Sequence, residues 1–126
     1  VGLLEERYFL YFEELDWVLR AKPRFRAAWA PGSIVFHKEG GSIGTHAQGR
    51  ASDLSLYYNL VNRLRFARRF APMAVPATIA RIFAIIARFL VRRDLAGAKI
   101  GCIAFADFVT SRYRTGAWLS TQRKSG

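Results

Sequence analysis

The second half of the chain is divided by capping residues and prolines into three long stretches, and this division most constrains the fold. Ser52 is suited to cap a helix that runs through "LSLYYNLVNRLRFARR". After a proline break, a second helix is predicted from near Pro76, an acceptable first-turn position, to about Arg93. Asp94 can cap a third helix, "LAGAKIGCIAFADFVTSRYR", which is predicted to end at residues 115–116. The pattern therefore predicts three consecutive helices.

The first half combines a short helix with extended segments. The stretch from Glu13 to Lys22 has helical composition, and Pro23 stops the helix. "FRAAWAPGSIVFHK" is typical of two short extended runs joined by a turn at residues 31–33, and "EGGSIGTHAQGR" is typical of a loop. The sequence thus predicts an α+β fold that is mostly helical, in the order helix, β-hairpin and three helices.

The predicted hairpin is too small to form a sheet with a buried face of its own. We therefore expect it to belong to a larger sheet whose remaining strands lie upstream of Val1. The opening "VGLLEERYFL" also reads as the middle of a domain. Both observations favour a fragment of a longer polypeptide.

The charge distribution favours an anionic partner. The 126 residues carry a formal net charge of +11. Five of the nine acidic residues lie in the first 16 positions, whereas the stretch from Val61 to Arg93 holds eight arginines and no acid. Such asymmetry indicates nucleic acid, phosphate groups or the cytoplasmic leaflet of a membrane. For any single arginine, the alternative is that it lies on a solvent-exposed helix face and binds no anionic partner.

The most apolar run is "IARIFAIIARFLV", which Arg81 and Arg88 interrupt. It is expected to fall short of the ~20 apolar residues that a membrane crossing requires. A helix that lies at a membrane interface and a plain core or dimer helix both remain open. The single cysteine, Cys102, excludes an internal disulfide and suits a reducing compartment.

The motifs "LLEERYFLYFEELDWVLR", "VFHKEGGS" and "YYNLVNR" follow one another along the chain. Together they resemble the C-terminal half of bacterial family 2 glycosyltransferases of the GT-A type, especially the rhamnosyltransferase-like branch. The resemblance covers Gly2 to about Arg69 and extends weakly to the last helix. It implies that residues 1–50 end a GT-A catalytic domain, that 51–116 form a basic helical extension, and that 117–126 form a flexible tail.

The resemblance assigns roles to the acidic cluster. It implies that Glu14 is the base that takes the proton from the acceptor hydroxyl, although the family usually has Asp at that position. Glu13 and Asp16 would orient or polarise the site. Arg20 would pair with Asp16 from one helical turn away. Acids in a first turn also favour the helix dipole, so plain helix decoration is the alternative.

The resemblance also implies a divalent metal, Mg or Mn. His37 matches the family histidine that joins a metal bound by an Asp-x-Asp motif, and this chain contains no such motif. Gly40, Gly41 and Ser42 would let the backbone approach the diphosphate or the acceptor closely.

On the acceptor side, the resemblance places Tyr58 and Arg63, although aromatic residues at helical spacing are usually core. The implied activity is inverting transfer of a sugar, rhamnose by family branch, from a nucleotide-sugar donor to a glycan or lipid-linked acceptor. The chain is expected to be inactive without the N-terminal half that binds the donor. The implied location is peripheral, at the cytoplasmic face of the cell membrane, and a homo-oligomer is possible.

Two non-enzymatic hypotheses stand beside the transferase. A basic module could bind an anionic membrane or nucleic acid, although no pattern typical of a nucleic-acid-binding fold is present. A non-catalytic remnant could instead keep the fold and lack the chemistry.

Overall fold

The computed structural model describes residues 1–34, 36 and 52–113. Within them the chain forms four α-helices and two short 3-10 helices. The α-helices are α1 (Glu13–Ala21), α2 (Asp53–Phe70), α3 (Val75–Val91) and α4 (Leu95–Val109), and the 3-10 helices are Glu6–Tyr8 and Pro72–Ala74.

Local capping explains where the helices begin. The Ser52 hydroxyl accepts a hydrogen bond from the backbone N–H of Ser55 at 3.1 Å. The Asp94 carboxylate accepts one from Gly97 N–H at 2.9 Å. Both caps satisfy N–H groups that the first turn of a helix leaves unpaired. The predicted starts of α2 and α4 are therefore confirmed, and α3 carries Pro76 in its first turn as predicted.

The last helix ends earlier than the sequence predicts. It stops at Val109, because Ser111 adopts a left-handed backbone with φ 53°. The backbone N–H of Arg112 then bonds back to the Asp107 carbonyl at 2.9 Å, which closes the helix end. The remainder of the predicted helix, from residue 114, lies outside the described residues.

The expected α+β fold is wrong: none of the described residues lies in a strand, and their secondary structure is entirely helical. The turn at residues 31–33 does form, with Ser33 N–H bonded to the Ala30 carbonyl at 3.0 Å. The segments beside it stay irregular, and Trp29 is 89% exposed and Ile34 81% exposed. Extended segments with no buried face gain too little to pair as strands. The end of the expected hairpin lies outside the described residues.

The core lies between α2, α3 and α4. Its buried residues form one cluster: Tyr57, Tyr58, Leu60, Val61, Leu64, Ile82, Ile86, Ala98, Ile100, Ala104 and Phe108. Two glycines allow α4 to approach α3 closely. A Cβ at Gly101 would lie 2.6 Å from Cγ1 of Ile86, and a Cβ at Gly97 would lie 2.7 Å from Cδ1 of Phe89. The absence of side chains at these positions therefore sets the spacing of the two helices.

Candidate functional site

The segment that leads into α1 has a strained backbone. Phe9, Tyr11 and Phe12 have φ values of 57°, 64° and 71°. Bulky L-residues avoid this left-handed region, at a cost of about 1–3 kcal/mol each. Such a conformation persists only where neighbouring contacts enforce it.

Helix α2 supplies those contacts. The amide nitrogen of the buried Asn62 donates hydrogen bonds to the carbonyl oxygens of Tyr8 at 2.6 Å and Leu10 at 2.7 Å. The hydroxyls of Tyr11 and Ser55 lie 2.6 Å apart. The segment before α1 is thus held against α2 by polar contacts between parts of the chain that are distant in sequence.

The two adjacent acids of α1 lie in different environments. Glu14 is exposed to solvent, whereas Glu13 is partly buried. In the described part of the chain, the Oε2 atom of Glu13 is buried and has no hydrogen-bond partner. Burial raises the pKa of the Glu13 carboxyl, and the charge of Glu14 adds to this increase. Glu14 is therefore the carboxylate of this pair that a ligand can reach from solvent.

Asp16 is a structural ion-pair residue. Its carboxylate is 0% exposed and lies 2.6 Å from Nε of Arg20 and 2.7 Å from a guanidinium nitrogen of Arg69. The pair with Arg20 was predicted and is confirmed, whereas the pair with Arg69 of α2 was not predicted. Arg20 also donates to the carbonyls of Val1 and Leu3. Asp16 therefore fixes α1 to α2, and it offers no surface to a substrate.

The structure places Tyr58 in the core. It is 1% exposed, and its ring lies 5.0 Å from that of Phe9. This agrees with the core alternative, since a ligand cannot reach the ring. Arg63 is partly buried and donates to the side-chain oxygen of Asn59 at 3.3 Å.

His37, Gly40, Gly41 and Ser42 lie outside the described residues, so their predicted roles stay predictions. Among the residues that the structure does describe, no group of three or more His, Cys, Asp or Glu side chains could hold a metal ion. The side chains of the described residues therefore do not form a metal-binding site by themselves.

A cationic cavity of about 270 Å³ lies beside the Asp16 ion pair. Four arginines, one carboxylate and two tyrosines line it: Arg7, Arg65, Arg68, Arg69, Glu5, Tyr8 and Tyr113. We refer to it as the arginine cavity. The arginine run in the sequence indicated an anionic partner, but the lining comes from three distant segments, so the cavity itself was not predicted.

Glu5 is held in place by arginines of the cavity wall. Its carboxylate lies 2.8 Å from Arg7 and 3.3 Å from Arg69. The hydrogen bond from Arg7 lowers the pKa of Glu5 to about 2, which keeps the carboxylate ionised at neutral pH. Next to it, burial raises the pKa of Tyr8 to about 12, and the charge of Asp16 adds to this increase.

Arg65 is the most enclosed arginine of the cavity, with 7% exposure. It donates hydrogen bonds to the side-chain oxygen of Asn62 at 2.9 Å and to the carbonyl of Arg112. The Tyr113 ring lies 4.3 Å from its guanidinium carbon. Burial lowers the pKa of Arg65, and the charge of Asp107 offsets part of this effect. The guanidinium is therefore locked in one orientation.

Helix α3 and the 3-10 turn before it expose several apolar side chains. Met73 of the turn and Leu90 and Val91 of α3 are 93%, 52% and 84% exposed, and Phe83 is 50% exposed although its ring lies 5.0 Å from that of Phe105 in α4. The sequence predicted too short a run for a membrane crossing, but the 3-10 turn extends it: Pro72–Val91 is long and apolar enough by length and composition. Only 11% of its most apolar stretch is buried, unlike a core helix.

No protein-family model matches the chain, and no curated protein or solved structure matches it either. The side chains that can indicate a function lie in three regions, namely the α1 acids, the arginine cavity and the outer face of α3.

Proposed function

We propose that this chain is the acceptor-side, C-terminal part of an inverting, metal-dependent glycosyltransferase that uses a nucleotide sugar. One observation supports this most: of the three acids in α1, Glu14 is exposed, whereas Glu13 is partly buried and Asp16 is fully buried. The α1 motif leaves one carboxylate accessible on a helix that the Asp16 ion pairs hold in place, which suits a general base.

In the proposed reaction, a Glu14 carboxylate oxygen accepts the proton of the acceptor hydroxyl. The acceptor oxygen then forms its bond to the anomeric carbon as the bond to the nucleotide diphosphate breaks. The Asp16–Arg69 ion pair positions the helix that carries Glu14.

The donor side of the reaction depends on groups outside the described residues. A divalent metal, Mg or Mn, would neutralise the departing diphosphate. His37 would supply one ligand, and an Asp-x-Asp motif from the N-terminal half would supply the others. The acceptor is proposed to be a glycan or a lipid-linked sugar.

The test is Glu14→Gln in the chain joined to its upstream sequence, with transfer measured from a panel of nucleotide sugars. Loss of the base should reduce turnover about a hundredfold to ten-thousandfold, while nucleotide binding stays nearly intact. Glu6→Gln is the matched control, because Glu6 is also exposed but lies outside α1. Equal turnover in wild type and Glu14→Gln would remove Glu14 from the mechanism.

A second candidate function is attachment to the surface of an anionic membrane, and the exposed face of α3 favours it. Arg81 and Arg88 are exposed and lie seven positions apart, so both occupy one side of the helix. Arg92 and Arg93 follow at the end of α3. An apolar face flanked by arginines suits a helix in the plane of the bilayer interface, with its charges among lipid phosphates. This is consistent with a peripheral location at the cytoplasmic face.

Sedimentation with phosphatidylcholine vesicles, with and without phosphatidylserine, tests the attachment. The double change Arg81→Gln and Arg88→Gln should weaken binding to the anionic vesicles about thirtyfold, since each arginine contributes about 1 kcal/mol near such a surface. Arg24→Gln with Arg26→Gln removes the same charge from exposed positions elsewhere and should change binding far less. Equal losses in the two double variants, or stronger salt-sensitive binding to DNA, would favour the non-catalytic basic module instead.

A further inference from the structure

The arginine cavity has no part in the proton transfer proposed for Glu14. We propose that it is a binding site for a phosphate-bearing anion of about the size of diphosphate. This inference does not depend on the glycosyltransferase activity.

The composition of the lining favours an anion. Four guanidinium groups and one carboxylate, that of Glu5, line the cavity, and the buried Asp16 carboxylate pairs with one of the four, Arg69. Guanidinium groups match phosphate oxygens because their paired N–H donors bind two oxygens at once. Arg68 and Arg69 are consecutive on α2, and Arg7 lies in the wall formed by the first 3-10 helix. An anion in the cavity could therefore be held from two sides.

Arg65 supplies a positive charge that is held at a fixed position in the site. Its hydrogen bonds go to an amide oxygen and a backbone carbonyl, which are neutral groups that orient the guanidinium, and the charge of Asp107 also acts on it. Arg68 lies 4.9 Å from the centre of the Phe108 ring, which also restricts its position. Preorganised donors cost less conformational entropy on binding than free surface arginines.

Glu5 acts as an internal counter-ion in this site. Its carboxylate occupies the position between Arg7 and Arg69 where a phosphoryl oxygen would also bind. A bound phosphate must therefore compete with Glu5. This predicts that removal of the Glu5 charge strengthens phosphate binding.

The size of the cavity limits the ligand. Its volume of about 270 Å³ is below the roughly 300 Å³ at which ordinary small-molecule sites begin. A phosphate or diphosphate group fits this space, whereas a complete nucleotide sugar does not. The ligand could be a soluble anion or the phosphate head of a lipid.

The test is calorimetric titration of inorganic diphosphate into the whole chain at fixed ionic strength. Arg68→Gln should weaken binding about tenfold, since a charge-assisted contact is lost. Glu5→Gln should tighten binding several-fold. Arg26→Gln is the matched control, because it removes the same charge from an exposed position outside the cavity lining and should leave the affinity within about twofold.

Arg68 packs on Phe108, so circular dichroism must first show that the Arg68→Gln variant keeps its helical signal. If that variant unfolds, Arg7→Gln replaces it, because Arg7 is an exposed residue of the opposite wall. No saturable binding by wild type would overturn the proposal. Equal weakening by the cavity variant and by Arg26→Gln would also overturn it, since binding would then reflect only net charge.

Vesicles distinguish the two sources of phosphate. Phosphatidylcholine vesicles with added phosphatidic acid present a lipid phosphate, and vesicles without it are the blank. If Arg68→Gln weakens binding to both the vesicles and diphosphate, the natural ligand is a lipid phosphate. If it weakens only diphosphate binding, the natural ligand is soluble. Both results support the cavity as the site, and neither depends on sugar transfer.

Discussion

At the scale of single residues, buried polar side chains position the candidate base. Asn62 and Asp16 are both 0% exposed, and each joins α1 or the segment before it to α2. Asn62 holds the backbone in its left-handed conformation, and Asp16 fixes the helix that follows. The exposed Glu14 side chain takes part in none of these hydrogen bonds and ion pairs, so stability and proposed catalysis are separable within one motif.

Asp16→Asn should destabilise the protein by about 2 kcal/mol, because it removes a carboxylate that neutralises two guanidinium groups. The cost stays moderate, since the Arg20 and Arg69 side chains are 23% and 41% exposed and water can partly solvate them. Urea unfolding followed by circular dichroism measures the change. Glu14→Gln on the same helix should shift stability by less than about 0.5 kcal/mol. Equal effects of the two substitutions would show that the Asp16 ion pairs make no measurable contribution to the free energy of unfolding.

At the scale of elements, the sequence predicts what is encoded locally. The caps at Ser52 and Asp94 act within one helical turn, and the Asp16–Arg20 pair spans four residues, so all three could be predicted. Local signals of this kind could not show that the predicted β-hairpin does not form. Its turn is local, but a strand needs a partner and a buried face, and composition around Trp29 does not reveal whether either exists. The left-handed Ser111 that ends α4 has no sequence signal that we can identify.

The contact between α3 and α4 gives a prediction at this scale. Gly101→Val should destabilise the bundle by about 2–3 kcal/mol, because the new Cβ would meet Ile86 at 2.6 Å and must push the helices apart. Ala106→Val is the control, since Ala106 lies on the exposed face of the same helix and valine there costs less than about 1 kcal/mol. Thermal unfolding measures both. Similar losses of stability in the two variants would mean that α4 can move relative to α3 and accommodate the new side chain.

At the scale of the whole molecule, the sites that sequence reasoning missed are assembled from distant parts of the chain. The Glu5–Arg69 contact joins positions 64 apart, and the Asn62–Tyr8 hydrogen bond joins positions 54 apart. No periodicity or spacing rule connects such residues. The resemblance could suggest that Glu14 matters, but not that a cationic cavity lies beside its helix. The apolar character of α3 was predictable, whereas its exposure depended on how α2 and α4 pack.

If α3 attaches to a bilayer as proposed, the exposure of its apolar side chains also connects that attachment to the concentration of the protein. In water, the α3 faces of two copies can cover each other, as a homodimer would. The same face cannot contact lipid and a second copy at once, so the two equilibria compete by mass action. A rise in protein concentration would therefore lower the fraction of molecules on the bilayer, because dimer formation depends on the square of the monomer concentration. Abundance would then regulate attachment without any modification of the chain.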